Sequence, residues 1–255
     1  MNILIRGGGD IASGVALRTI RAGFNVIITE LAQPLAVRRT VSFSEAVYEG
    51  NWIVEGITAR RAHSAKQAME FIEEGVIPVL VAPEIENLSL DYQTLVDARL
   101  IKSRVDYPLS DSPMVIGLGP GFTAGDNCHA VIETNRGHTL GRVYWEGSAQ
   151  PDTATPEGDA RRVIRTDCDG IIFGKVEIGQ HVEAGQIIAQ IESQSVFSPL
   201  KGVVRGLIRS GLKVNKGLKI GDIDPRDDPI LCKLVSDKAL AIGGGVLEAI
   251  LRQLK

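Results

Sequence analysis

NILIRGGGDIASGVALRTIRAGFNVIITE, residues 2–30, decides how the first half of the chain is read. Its two ends, 2–6 (NILIR) and 25–29 (NVIIT), are short, apolar and β-branched, while residues 11–22 repeat apolar side chains at helical spacing. Together they predict a β-α-β unit. Between strand and helix, Gly7, Gly9 and Ala12 match G-x-G-x-x-[GA], the pattern that turns main-chain N–H groups and a helix N-terminus toward a pyrophosphate. Gly8 and Asp10 complete this candidate cofactor-binding loop. Glu30 closes the second strand 23 residues after Gly7, where a carboxylate can accept from ribose hydroxyls. A tight turn without a ligand, with Asp10 as a helix cap, explains the same residues. Gly9 and Gly14 also have P-loop spacing, but Val15 and Ala16 stand where Lys and Ser or Thr are required. ATP hydrolysis by that route is excluded.

Outward from this unit, Ser42 with Glu45 and Ser64 with Gln67 have capping-box spacing, and each pair predicts a helix start. In the second, Ala65, Ala68, Met69 and Ile72 fall on one face. The runs 77–82 (IPVLVA), 95–101 (LVDARLI) and 114–118 (MVIGL) read as buried parallel strands. The resulting expectation is a Rossmann-type α/β domain over residues 1–120. A second glycine-rich loop, IGLGPGFTAGDNCHA at 116–130, follows the last of these strands. Its Gly119 and Gly121, with Phe122 behind them, are candidate cofactor-binding residues because such a loop can form a nest of N–H groups for an anion. A turn built by Pro120 and its flanking glycines is the alternative. Beyond SRVDYPLSDSP (103–113) the pattern shifts: AVIET and LGRVYW flank Asn135–His138 as a hairpin, and EGSAQPDTATPEGDA (146–160) is a polar loop.

The strongest internal signal lies further on. Residues 169–192 align without a gap on 201–224 at an offset of 32, with seven of 24 positions identical: Gly170/Gly202, Gly174/Gly206, Gly179/Gly211, Val182/Val214, Gly185/Gly217, Ile188/Ile220 and Ile191/Ile223. Matching glycines at matching corners indicate a duplicated β-unit. Two such halves resemble the barrel-sandwich hybrid of biotinyl and lipoyl carrier domains, so the expected fold class is α/β plus β: a Rossmann-type domain at 1–120, a β-rich domain with a duplicated half-barrel at 121–235, and a C-terminal helix at 236–255. Carrier domains hold their modified lysine at the tip between the halves, where this chain has Ser193, Gln194 and Ser195. No covalent biotin or lipoate is expected, and the module is expected to act as a docking or homo-oligomerisation surface. In the last segment Leu240, Leu247, Leu251 and Leu254 share a helical face, behind Ser236 as a cap. Gly243, Gly244 and Gly245 would together cost that helix about 3 kcal/mol against alanine. Either the helix breaks there or something approaches it closely.

Composition narrows the function. The 255 residues are 44% apolar, and 28 Lys plus Arg face 31 Asp plus Glu, so no basic footprint for nucleic acid is present. No apolar run reaches the roughly 18 residues of a membrane span, and the N-terminus does not read as a signal peptide. A cytoplasmic protein without a membrane partner is expected. Cys128, Cys168 and Cys232 lack CxxC spacing, which disfavours a zinc site, and no metal ligands are assigned. Tyr-x-x-x-Lys, HExxH and GxSxG are missing from the chain. Cys128 beside His129 reads better as a small buried residue than as an activated thiol. Asp97 and Lys102 stand near a predicted strand end, where charges are commonplace. No catalytic residue is assigned.

RGGGDIASG, SFSEAVYEG, VIGLGPGFTAGDNCHAVIETNRGHTLGRVYWEGSAQPDT, GLKIGDIDPRDD and SDKALAIGGGVLEAIL together resemble the YqeB-type accessory proteins of selenium-dependent molybdenum hydroxylases. The N-terminal half is also similar to the nucleotide-binding domain of xanthine dehydrogenase accessory factors. The resemblance implies a role in maturing a molybdenum hydroxylase client, through selenium or sulfur addition to its molybdopterin cofactor or through cofactor insertion. Chemistry leaves the ligand open between NAD(P) or another nucleotide and a molybdopterin-type cofactor. The competing readings are an NAD(P)-dependent oxidoreductase acting on a small metabolite, and a scaffold without any ligand.

Overall fold

The computed structural model describes residues 1–86, 88–105, 107, 109, 113–151 and 158–254. The chain divides into two units, the first made of Met1–Pro34, Ser42–Thr153 and Val235–Lys255, the second of Leu35–Val41 and Ala154–Leu234.

In the first unit, β1 (Asn2–Arg6), α1 (Asp10–Arg21) and β2 (Asn25–Glu30) form the opening β-α-β. A 3-10 turn at Phe43–Glu45 leads into the four-residue α2 (Ala46–Glu49). The strands β3 (Asn51–Val54) and β4 (Ile57–Ala62) follow, then α3 (Ala65–Glu73), β5 (Ile77–Val81), β6 (Thr94–Asp97) and β7 (Met114–Leu118). Four short strands come next: β8 (Thr123–Ala124), β9 (Ala130–Ile132), β10 (Val143–Tyr144) and β11 (Gly147–Ser148). Nine of these strands make one sheet in the order β10-β9-β7-β6-β1-β2-β5-β4-β3. Every pair from β9 to β4 is parallel, and only the outer pairs β9/β10 and β3/β4 are antiparallel. Parallel strands buried on both faces carry near-continuous apolar runs, as the fully buried MVIGL of β7 does. The chain moves outward from β1 to β2 on one side and to β6 on the other, so the order reverses at β1.

Leu4, Ile27, Leu80, Leu95 and Val115 form one core with Ala68 and Phe71 of α3. On α3 the buried residues are Ala68 and Phe71, and Met69, expected inside, is 36% exposed. Ser64 does cap this helix, accepting from Gln67 N at 3.1 Å while Gln67 Oε1 accepts from His63 N at 2.8 Å. Ser42 makes no such cap, and a 3-10 turn stands where a longer helix was expected. By alternation, Ile3 and Ile5 face the other side of the sheet. There α1 packs on α4 (Asp237–Gln253), which also lies against β9 and β10. The three glycines do not break α4. A Cβ on Gly243 would come within 2.7 Å of Gly14 O, and one on Gly245 within 2.2 Å of Gly141 O, so close backbone approach requires both.

The first unit therefore runs past the expected boundary at residue 120, because β9 pairs in parallel with β7 and carries the 130–144 hairpin into the large sheet. The C-terminal helix also belongs to it. Residues 106, 108 and 110–112 of the 103–113 stretch, and 152–157 of the 146–160 loop, lie outside the described residues.

The second unit contains β12 (Val163–Arg165), β13 (Gly170–Gly174), β14 (His181–Val182), β15 (Ile187–Ile191), β16 (Gln194–Phe197), β17 (Gly202–Leu207), β18 (Lys213–Val214) and β19 (Lys219–Asp224). They form two four-stranded sheets, β12-β19-β17-β14 and β16-β15-β13-β18. The offset of 32 carries β13 onto β17, β14 onto β18 and β15 onto β19, and the pairing is reciprocal. Gly170 pairs with Val214 and Gly202 with Val182. Ile172 pairs with Ile191 and Val204 with Ile223. Gly211 N donates to Ile172 O at 2.7 Å and Gly179 N to Val204 O at 2.8 Å. The outer surfaces of the halves differ. Phe173 and Ile187 are exposed on the first, whereas their counterparts Arg205 and Lys219 join an ion network around the buried Asp222 and Asp224.

Candidate functional site

The C-terminal ends of β1 and β6 adjoin at the point where strand order reverses, the place where open α/β sheets leave a crevice for ligands. After Arg6 the backbone turns through Gly7, at φ +98°, with Gly7 N donating to Thr29 O at 2.8 Å. Gly8 is enclosed: its N–H donates to Glu30 Oε1 at 2.8 Å and its carbonyl accepts from Ser44 N at 2.9 Å. A Cβ there would meet Ser44 N at 3.0 Å. Gly9 differs. It is the N-cap of α1 with no side-chain cap, and a Cβ built on it meets nothing within 4 Å. Asp10 opens the helix and Ala12 is buried. The loop thus presents one open glycine at the positive end of a twelve-residue helix dipole.

Glu30 is built into this loop. Its Oε1 accepts from Gly8 N and its Oε2 from Leu31 N at 2.7 Å. Burial pushes its pKa above the usual carboxylate value, although these two N–H bonds pull the other way. Each carboxylate oxygen has a second lone pair, so the side chain is held in place with acceptor capacity left.

Beside the glycine loop, at the ends of β1 and β6, stands a group of polar side chains. Asp97 is fully buried and holds Arg99 in a fork, with Nε at 3.0 Å from Oδ1 and Nη2 on Oδ2. Tyr107 donates to Asp97 Oδ2 at 2.7 Å and accepts from Arg6 Nη1 at 3.1 Å. Burial first, then Asp97, push the Tyr107 phenol up to about 12, with Arg6 opposing, so it stays protonated. Arg6 also donates to Pro83 O and to Glu84 Oε2, yet among the described residues its buried Nε has no hydrogen-bond partner. Sequence reasoning noted Asp97 only as a strand-end charge and missed Arg6, Arg99 and Tyr107. The signal within reach was Arg6, the last residue of a predicted central strand.

The second glycine loop braces this group from behind. A Cβ on Gly121 would come within 2.4 Å of Ile101 O and 2.7 Å of Ser103 O, so glycine lets the loop lie on the segment that follows Arg99. Phe122 is fully buried and fills the space over Gly117, and Gly119, at φ +89°, approaches Thr134. Sterics and packing account for all three. Phe122 in particular has no surface to offer a ligand.

Cys128 and His129 do not form a pair. Burial, the leading cause, pushes the Cys128 thiol up to about 12, while His129 Nδ1 accepts from Val115 N at 2.9 Å. Among the described residues no three His, Cys, Asp or Glu side chains converge as a metal site. No helix among them is long and apolar enough to cross a membrane.

No family model matches the chain. Over 254 residues it is 50% identical to a protein of Escherichia coli (strain K12) named "Uncharacterized protein YqeB". The chain is similar to YqeB over nearly its whole length. That match takes in 98% of this chain and 47% of YqeB, so the chain spans about half the length of the curated relative it matches. Among solved structures, a succinylglutamate desuccinylase from Silicibacter sp. TM1040 is 11% identical and covers 87% of this chain and 84% of its own, at a TM-score of 0.27. At that score neither fold nor activity transfers.

Proposed function

We propose that the first unit is a Rossmann-type site for a phosphorylated nucleotide or pterin, and that the protein is a cytoplasmic accessory factor in maturing a molybdenum hydroxylase. The observation that carries the ligand reading is Gly9: an open, uncapped helix N-terminus directly after the central strand, beside a carboxylate fixed by two main-chain N–H groups. A phosphate can bind the helix N-terminus, and Glu30 can accept from a vicinal diol. The same carboxylate repels a 2′-phosphate, so an unphosphorylated ribose is favoured. The client is proposed from the motifs that resemble accessory proteins of these hydroxylases. In this reading the second unit, a barrel-sandwich-like module, supplies a docking surface.

Mass spectrometry of gently purified protein should find a bound nucleotide or pterin carrying phosphate. Gly9→Asp should abolish its binding in calorimetry while the variant stays folded by circular dichroism, because the new carboxylate repels phosphate at the helix N-terminus. Unchanged affinity in a folded Gly9→Asp protein would remove this loop from the site.

A further inference from the structure

We infer that Arg99 binds the phosphate groups of the ligand held at the α1 N-terminus, as a guanidinium clamp that is set in position before the ligand arrives. This rests on the reading of the glycine loop given above and names a residue that reading did not contain.

Four observations place Arg99 there. First, it adjoins the loop: a Cβ on Gly7 would lie 3.5 Å from Arg99 Cγ and from the Ala98 carbonyl, so the base of the Arg99 side chain packs on the first glycine. Second, it is immobilised. Asp97 accepts from Arg99 N, Nε and Nη2, and Tyr107 accepts from Nη2 at 3.3 Å. A long side chain fixed in this way loses little rotamer freedom when it binds an anion. Third, donor capacity remains. The side chain is 30% exposed, and among the described residues its Nη1 has no hydrogen-bond partner. Fourth, the chain bends directly after it: Leu100, the next residue, has φ +56°, a conformation that a leucine adopts rarely.

Two guanidiniums stand at these strand ends: Arg99, with 30% of its side chain exposed, is paired with the fully buried Asp97, and Arg6, with 7% exposed, is paired with Glu84. Glu84 is 74% exposed and solvated, whereas Asp97 is fully buried. Arg6 is the more enclosed of the two and donates through both Nη atoms to Tyr107, Pro83 and Glu84, so Arg99 is the one with exposed side chain to offer a phosphate.

Calorimetry on the full chain with ADP, inorganic pyrophosphate and adenosine tests this. Arg99→Gln should weaken ADP and pyrophosphate by about 10- to 100-fold, the size of a lost charged hydrogen bond, and leave adenosine unchanged. Arg99→Lys should restore part of the loss, since it keeps the charge without the fork. Because Arg99→Gln leaves Asp97 with one fewer partner, the Asp97→Asn/Arg99→Gln double variant serves as a second test without a buried unpaired charge, and it should bind ADP as weakly. ADP affinity that is unchanged in these variants and lost in Gly9→Asp overturns the assignment of Arg99 alone. Wild-type protein that binds ADP no better than adenosine overturns phosphate recognition here. Wild-type protein that binds none of the three overturns the glycine-loop reading and Arg99 with it.

Discussion

Glu30 fastens the loop through two main-chain N–H groups, and in the proposed reading it also accepts from the ligand. Its folded pKa lies above the ordinary value because burial outweighs the two N–H bonds that favour its anion. Adenosine affinity should therefore fall as pH is lowered through that raised pKa, as the carboxylate loses its charge, and Glu30→Gln should flatten the dependence while weakening adenosine about tenfold. A pH series of titrations checks both, and a flat wild-type profile would separate Glu30 from the ribose. The opposite shift occurs in the second unit. Asp224 is held down to about 2, first by the Arg226 side chain, and Asp222 is lowered by Lys219, Arg205 and Arg162 against the cost of burial. Depressed carboxyls add stability above their unfolded value near 3.8 and lose it as pH falls through the folded one. Hydrogen exchange over 202–224 should accelerate between about pH 4 and 2, and Asp224→Asn should remove much of that change. At this scale the sequence displayed Gly9 and Glu30 openly, because a motif fixes their spacing. It hid the fork of Arg99 on Asp97, since two charged residues two apart in a strand-end loop look like ordinary surface until the backbone turns one onto the other.

Among the elements, the α1/α4 contact makes three neighbouring glycines unequal. Gly243 and Gly245 press on carbonyls of Gly14 and Gly141, whereas a Cβ on Gly244 meets open space. Gly244→Ala should stabilise the protein by about 0.5–1 kcal/mol through helix propensity, and Gly243→Ala or Gly245→Ala should destabilise it by about 1–3 kcal/mol through overpacking. Denaturant melts of the three variants decide this, and equal effects would mean the helices do not meet in this way. The duplicated unit gives a second comparison. Val182 and Val214 are both buried at reciprocal pairing positions, so Val182→Ala and Val214→Ala should each cost about 1.5–3 kcal/mol. A large difference between them would argue against equivalent halves. This repeat was legible because glycines at forced corners survive divergence that erases other identities. The β3/β4 hairpin was not read, although Glu55 and Gly56, both at positive φ, form the two-residue turn that joins antiparallel strands. Its alternation is blurred by Arg60 and Arg61, whose intermediate burial gives no clean apolar face. Nor could periodicity show that β9 joins the large sheet, since which strand a segment pairs with is a non-local property.

For the whole molecule, the question is whether a held ligand is also transformed. An oxidoreductase needs a group that can exchange a proton at working pH beside the cofactor. Two of the polar groups at this site are committed otherwise: the Tyr107 phenol, pushed up to about 12, donates to Asp97, and Asp97 is clamped by Arg99. The Cys128 thiol is equally unreactive, because only a thiolate attacks. The proposed reading is of a site that binds and presents its ligand. The purified protein should accordingly show no turnover of common metabolites with NAD or NADP. A strain lacking the gene should instead make its molybdenum hydroxylase polypeptide in normal amount but inactive, and wild-type protein should restore activity where the Gly9→Asp variant does not. The accumulated hydroxylase separates this from a defect in expression, and cofactor analysis of it would locate the missing step in insertion or in selenium or sulfur addition. Full hydroxylase activity in the deletion strain, or reduction of a metabolite with NADH at about 1 per second or faster, would transfer the glycine loop from an accessory factor to an enzyme.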